Sequence, residues 1–240
     1  MHHILTECLY LGMIKKYIKA GMDLLMPRIC IVCGRRLLLG EEHLCLFCSS
    51  DIPFTFFWSW DNNPMAEKTG TFACALFYYK SEAGYRHIPY QIKYHGNLKV
   101  GTHFGKMLGS KIAQAGWSRD IDAIIPVPLH WRRKWSRGYN QAEVIASGVA
   151  EVLNVPVRTD VLRRVRYTET QTKVEVEEKG KNVYGAFRAV PIQSGIRHVL
   201  LLDDVFTTGS TLMACMAALR RVFPAEVRIS VATLAFVERS

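Results

Sequence analysis

This 240-residue sequence predicts an α/β fold: a mainly parallel sheet with helices on both faces, preceded by a small module of paired cysteines. Three observations carry that prediction. Val199 to Leu202 is an apolar run with no polar alternation, the pattern of a parallel strand covered on both sides. From Thr71 to Val237, strand-like and helix-like stretches alternate, as they do where crossover helices connect parallel strands. Ahead of all this stand Cys30-Ile-Val-Cys33 and Cys45-Leu-Phe-Cys48, two short-spaced pairs within a few turns of chain.

Composition sets the limits. With 49% hydrophobic residues the chain has material for one medium core and an appendage. We divide it into residues 1–60, a helix and the four-cysteine module, and residues 61–240, the α/β domain. Lys and Arg outnumber Asp and Glu by 31 to 21, and a net charge of +10 attracts polyanions. No uninterrupted apolar run approaches the roughly 20 residues of a membrane span. The first residues also lack a basic stretch followed by a clean apolar core. The expectation is a cytoplasmic protein with no membrane span. Seven cysteines, an odd number with four paired at short spacing, favour metal chemistry in a reducing compartment over disulfides.

Along the chain, Leu9, Met13, Tyr17 and Leu25 share one helical face, so residues 8–26 predict a short amphipathic helix. Packing on the next module suits it better than a membrane surface, because Gly12, Gly21 and a weak basic face oppose the latter. Each Cys-x-x-Cys then turns two thiolates toward one point, and Gly34 suits the tight turn after the first pair. Cys30, Cys33, Cys45 and Cys48 together make a closed tetrahedral Zn2+ site, which leaves no open position and is structural. A redox pair is the alternative. Asp51 to Lys68, with Pro53, Asn62, Asn63 and Pro64, reads as an irregular connection. Its aromatic residues Phe54, Phe56, Phe57, Trp58 and Trp60 fit burial better than base stacking. Thr71 to Tyr79 predicts a strand. Tyr85, Ile88 and Ile92 begin a helix despite Pro89, and Leu98, Gly105, Leu108 and Ile112 continue a second helical face that stops near Gly116.

Ile121 to Ile125 is the next strand, and it runs into a long loop from Pro126 to Gln141. Ligands of open α/β sheets lie outside the carboxyl ends of the strands, so this loop should face the one after Leu202. It brings Arg132, Arg133, Lys134 and Arg137, cations suited to a bound anion. Trp131 and Trp135 among them also suit single-stranded nucleic acid. A helix through Ala142, Ile145, Val149 and Leu153 follows, then short strands at Val155 to Val157 and Val161 to Val165. Tyr167 to Asn182 is polar and aperiodic, a candidate mobile lid carrying Thr168, Gln171 and Lys173. Val227 to Val237 supplies the last strand.

The chemistry concentrates after the central strand. Asp203 and Asp204 at its tip accept hydrogen bonds when ionised and suit sugar hydroxyls or a metal. Thr207, Thr208, Gly209, Ser210 and Thr211 then lead into a helix through Leu212, Cys215, Met216 and Leu219. Gly209 admits close backbone approach, the hydroxyls and amides turn inward, and the helix N-terminus favours an anion. Together they describe a ribose phosphate. The plain alternative is that the two acids merely cap the next helix. A P-loop reading needs Gly-x-x-x-x-Gly-Lys-Ser/Thr elsewhere, and the nearest segment, Gly101 to Met107, is one residue short and ends in Gly-Lys-Met.

This segment resembles the 5-phosphoribosyl 1-diphosphate (PRPP) motif of type I phosphoribosyltransferases over thirteen positions. Added to the cysteine knuckles, Ile-Lys-Tyr-His-Gly at 92–96, Pro-Val-Pro-Leu at 126–129, Arg-Gly-Tyr-Asn-Gln at 137–141, Thr-x-x-Gln at 168–171 and Asn-Val-Tyr-Gly-Ala-Phe at 182–187, it makes residues 24–237 similar to the ComF family. That family is associated with DNA uptake in natural transformation and is often labelled amidophosphoribosyltransferase. The resemblance implies a type I phosphoribosyltransferase-like sheet and PRPP bound with Mg2+ by Asp203, Asp204 and Thr207 to Thr211. Val127, Pro128, Arg133 and Lys93 would assist, the 126–141 loop holding pyrophosphate partly through backbone amides. It implies catalytic roles for Asp203, Asp204 and Arg132 if the protein is an enzyme, and single-stranded DNA and DNA-uptake proteins as partners. The alternative function is an active Mg2+-dependent transferase acting on a nitrogenous acceptor. Thr207 stands where purine-salvage members have Asp, and no Cys nucleophile follows Met1, which argues against purine salvage and a complete amidotransferase. Two departures stand out: Glu175 to Lys181 is a Glu/Lys run where relatives tend to carry more Arg, and Pro89 interrupts the helix before Lys93.

Overall fold

The structure is a computed structural model that describes residues 27–79, 84–166, 185–191 and 195–238. The predicted helix over 8–26, the lid over 167–182 and the Glu/Lys run therefore lie outside the described residues. The chain forms two compact units, residues 1–52, with the short α1 (Leu46–Ser50), and 53–240.

In the larger unit β1 (Ala73–Tyr79), β2 (Ala123–Pro126), β5 (His198–Phe206) and β6 (Arg228–Val237) form a parallel sheet in the order β1-β6-β5-β2. β5 is interior, pairing Leu200 with Ile124 on one side and Ser230 on the other. Val199 to Leu202 are fully buried, which is why their sequence shows no alternation. Beyond β2 the predicted strand at 155–157 is reduced to one bridge, Val157 to Ile124. β3 (Leu162–Arg164) and β4 (Phe187–Ala189) make a separate antiparallel ribbon.

Helices cover both faces. On one side α4 (Leu98–Gln114) and α6 (Gln141–Leu153) pack on each other and on the sheet. The packing is close enough that a Cβ at Gly105 would stand 2.3 Å from the Ile145 carbonyl oxygen, and one at Gly148 2.3 Å from that of Thr102. The glycines of the failed P-loop segment thus serve a helix crossing. Asn97 and Asn140 cap the two helices, accepting from Val100 and Ala142 amides. On the other face lies α7 (Ser210–Arg220), whose Leu212, Cys215 and Leu219 join Val199, Leu201 and Phe187 in one buried cluster.

Three local expectations are corrected. Asp51 to Lys68 is not irregular throughout: α2 (Pro64–Thr69) lies within it, because buried Asn63 accepts from the amides of Met65 and Ala66 and Pro64 occupies the first helical position. Pro89 does not interrupt its helix. It is the third residue of α3 (His87–Tyr94), in the first turn, where its missing N–H has no intrahelical partner to lose, and the helix runs on through Lys93. The 126–141 connection is not all loop, since α5 (Trp131–Arg137) forms inside it, capped by His130 and ended by left-handed Gly138. Residues 53–60 pack with the larger unit: Thr55 Oγ1 donates to the Ala75 carbonyl at 2.5 Å, and Phe57 is buried.

Candidate functional site

The site is built at the carboxyl end of β5. Asp203 and Asp204 are half-buried and lie not at its tip, as the sequence suggested, but just inside it, since β5 stays paired with β6 through Val205 and Phe206. Asp203 Oδ1 accepts from the Asp204 amide at 2.9 Å and Asp204 Oδ1 from the Val205 amide at 2.8 Å. Withdrawal from water pushes the Asp203 carboxyl up, and the adjacent Asp204 charge pushes it further. The chain then turns through Thr207 and Thr208 into left-handed Gly209, the residue before α7. Thr208 Oγ1 and Ser210 Oγ lie 2.8 Å apart, and the Ser210 amide donates to Thr208 Oγ1 at 3.3 Å. A Cβ at Gly209 would meet the Phe206 ring at 2.7 Å, so glycine is required by space as well as by φ. First-turn amides of a helix have no partner within it, so Thr211 and its neighbours present donors beside these hydroxyls.

β2 ends in the neighbouring loop. The Val127 amide is spent on the Leu202 carbonyl at 2.8 Å, and Pro128 carries none. Asn140 Nδ2 donates to the Val127 carbonyl at 2.9 Å, tying this loop to the start of α6. Beyond Pro128 the side chains provide the positive charge. Arg132 and Arg133 sit in the first turn of α5, beside buried His130. Burial and the charges of Arg164, Arg132 and Arg133 together hold that imidazole below its ordinary pKa. Arg164 was not legible as a site residue, because from sequence it is one cation in a short strand. In the fold it reaches from β3 over the Phe187 ring, 5.4 Å to the centroid, and its charge is felt by Asp203, Cys215 and His130. Lys93 lies at the end of α3, its Nζ 5.3 Å from the Tyr94 ring.

In the smaller unit Cys30, Cys33, Cys45 and Cys48 converge, with all four sulfurs within 4.8 Å of one another. Left-handed Gly34, whose amide donates to the Cys30 carbonyl at 2.9 Å, closes the first knuckle. Burial alone would raise the Cys30 thiol, but amides of Cys33, Cys45 and Val32 aimed at it bring it down to about 7. Cys48 is pushed up, by burial first and then by the other three sulfurs. Four thiols competing for so few protons are a donor set that can bind a metal such as zinc. Glu41, not singled out from sequence, braces the second knuckle by accepting from the amides of Leu38 at 2.6 Å and Leu46 at 2.7 Å.

Comparison with known proteins fits this geometry. Residues 140–237 match the phosphoribosyl transferase domain. Competence protein F of Haemophilus influenzae is 36% identical over 110 residues, covering 45% of this chain and 48% of that protein. DNA utilization protein YhgH of Escherichia coli O157:H7 is 30% identical over 144 residues, 58% of this chain and 63% of that one. The chain is similar to these competence and DNA-utilization proteins. It spans about half to under two thirds of the length of these relatives. Its fold is of the type I phosphoribosyltransferase class, with the four-cysteine cluster ahead of it. Solved structures similar to it include the glutamine PRPP amidotransferase of B. subtilis, at 21% identity and a TM-score of 0.36 over 55% of this chain and 25% of that one.

Two further surfaces of the protein adjoin the loop or its neighbour. A cleft of about 860 Å3 opens beside Thr207, Thr208 and Ser210, with Phe57, Tyr78 and Phe236 among its walls. These three rings meet edge to face, 5.2 to 6.1 Å between centroids. Asp203 and Asp204 do not line it. The second surface joins α3 and α5. Tyr139 OH donates to the Ile92 carbonyl. Arg137 lies 5.7 Å from the Tyr94 ring and Arg132 5.3 Å from the Trp131 ring. Tyr90, Tyr94, Trp131 and Trp135 are exposed there, Trp135 at 87%. Among the described residues no helix is long and apolar enough to cross a membrane.

Proposed function

We propose that this protein is ComF-like, binds PRPP or a closely related ribose phosphate at the β5–α7 loop and acts in DNA uptake, in the cytoplasm, with single-stranded DNA and DNA-uptake proteins as partners. The observation that carries the reading is the short run from an acid pair near the carboxyl end of β5 into hydroxyls already paired to one another at a helix N-terminus. Asp203 and Asp204 receive the ribose hydroxyls, and Thr207 to Thr211 the 5-phosphate. The diphosphate, accompanied by Mg2+, meets Arg132 and Arg133 beyond Val127 and Pro128, while Lys93 adds charge at the edge. Zn2+ held by the four cysteines fixes the smaller unit. The DNA role rests on the names of the H. influenzae and E. coli relatives and on the exposed aromatic rings among cations on α3 and α5, a combination suited to stacking bases and neutralising phosphates. Calorimetry with PRPP and Mg2+ is the direct test: heat that saturates near one ligand per chain supports the reading, and none refutes it.

One observation favours a second reading, an active transferase. The aromatic cleft beside the loop provides the room for a planar nitrogenous acceptor that the sequence did not reveal. In that reaction the acceptor nitrogen's lone pair forms the bond to C1 as the C1–O bond to diphosphate breaks. Arg132 would meet the departing negative charge, bound Mg2+ would share it, and the proton of the acceptor nitrogen would leave to water. Release of pyrophosphate across a panel of nitrogenous acceptors decides it.

A further inference from the structure

We infer that Lys68 is the cation that meets the 5-phosphate at the β5–α7 loop, held there by α2, a helix outside the segment that carries the phosphate motif. The charge balance calls for such a group. A phosphate monoester brings about −1.5 to −2 charges at neutral pH, and a helix N-terminus answers with roughly +0.5. Thr207 to Thr211 add hydroxyls and amides but no cation, and Asp203 and Asp204 just before them are acids. Arg132 and Arg133 belong to the other loop, on the diphosphate side.

Lys68 stands where the missing charge is needed. Its Cγ is 3.5 Å from the position a Cβ on Gly209 would take, and the Phe206 ring closes that position from another side at 2.7 Å. The bare glycine therefore lets the lysine stem lie on the loop, with the ammonium three bonds beyond Cγ. Among the described residues that line the cleft with Thr207, Thr208 and Ser210, Lys68 is the one cation. The titratable groups facing it across the cleft are the Glu238 carboxylate at the end of β6 and the Tyr78 phenol of β1, and among the described residues its ammonium pairs with neither. The seat is firm, because fully buried Asn63 caps α2 while its Nδ2 donates to the carbonyls of Ser59 at 2.9 Å and Ala73 at 2.7 Å. Met65 and Ala66 share the buried cluster of Leu212, in the first turn of α7. Lys68 lies in the last turn of α2, where the helix dipole also favours a cation.

This inference rests on the ribose-phosphate reading, and its test separates the two. Affinity of the full chain for ribose 5-phosphate with Mg2+ is measured at about pH 7.5 and about pH 5, either side of the phosphate's second pKa near 6. Lys68→Gln should bind roughly fivefold more weakly at the higher pH, the upper end for an exposed ion pair, and about twofold more weakly at the lower, where the phosphate carries about one charge. Asp203 and Asp204 titrate in both proteins and cancel in the ratio. Phosphorus-31 NMR of the bound ligand reads the contact directly: the midpoint of its titration should lie about 0.4 unit higher in Lys68→Gln, the ratio of those two losses, and return in Lys68→Arg. No loss, or an equal loss at both pH values with an unmoved midpoint, would leave Lys68 at most a brace of α2 and overturn its role at the phosphate alone. A wild type that ignores ribose 5-phosphate at both pH values overturns the ribose-phosphate reading and the Lys68 contact with it.

Discussion

Replacing both acids, Asp203→Asn with Asp204→Asn, removes the charges that a ligand site needs and keeps the local hydrogen bonds, and the structure fixes what the change removes. Each Oδ1 accepts one local amide, from Asp204 at 2.9 Å and Val205 at 2.8 Å. Asparagine keeps that oxygen, so both bonds survive while two charges vanish. In the empty protein those charges oppose folding, since burial and mutual repulsion raise the Asp203 carboxyl above its unfolded value. A group raised in this way stabilises the fold below its unfolded pKa and loses that contribution as pH rises through the folded pKa. The variant should therefore melt no lower than wild type at neutral pH, and any advantage should vanish in acid as the wild-type carboxyl protonates. The cap reading is tested by alanine at both positions, since asparagine caps as well as aspartate: a lost cap oxygen would cost about 0.5–2 kcal/mol, or roughly 1–8 °C for a unit of this size. PRPP with Mg2+ at a hundred times its Kd stabilises wild type by about 2.7 kcal/mol, an upward shift of roughly 5–11 °C. The variant should lose most of that shift. Tryptophan fluorescence is the assay, because Trp58, Trp60, Trp117, Trp131 and Trp135 all lie in the larger unit and report it alone. A variant that melts several degrees lower yet keeps the full ligand shift would refute the assignment.

Other expectations follow from the same structure. Gly105→Ala gains about 1 kcal/mol of helix propensity but drives a Cβ to 2.3 Å from a carbonyl that cannot yield, so a net loss of about 1–2 kcal/mol is expected in urea unfolding, while Gly116→Ala, with open space around it, should be neutral or slightly stabilising. Reduced, freshly prepared protein should carry one Zn2+ per chain by metal analysis, and Cys45→Ser or chelation should make the smaller unit the first place that proteolysis cuts; protein with no zinc would refute this. Single-stranded DNA held by Arg132, Arg133, Lys134 and Arg137 should bind about 10²-fold more weakly at roughly 200 mM than at 50 mM salt, and neutralising any one of them should lower the salt slope by about one; affinity indifferent to salt would leave the basic turn to pyrophosphate.

What sequence disclosed and what it hid divide along one physical line. A buried parallel strand has a composition of its own, and a loop that must approach a phosphate needs small and hydroxylated residues in order, so β5 and Thr207 to Thr211 could be read directly. The cysteine spacing likewise states its own geometry. Elements set by capping at short range were half legible. Asn63-Pro64 is equally a turn signal and a helix start, and only the burial of Asn63 decides between them. Pro89 and the 126–141 stretch misled for a related reason. Proline and glycine mark boundaries, and a short helix such as α5, with no buried residue, has no apolar periodicity to announce it. What could not be read at all is what the chain brings together from afar. Arg164 looks like any cation of a short strand until the ribbon folds against α7 and sets it over the Phe187 ring, at the edge of the buried cluster. The rings of the cleft wall, Phe57, Tyr78, Phe206 and Phe236, come from the segment before β1, from β1 itself and from the ends of β5 and β6. A phosphate cradle is local because backbone amides in succession make it. The environment that buries an acid or shapes a ligand's neighbour is not, and it is there that the structure adds to the sequence.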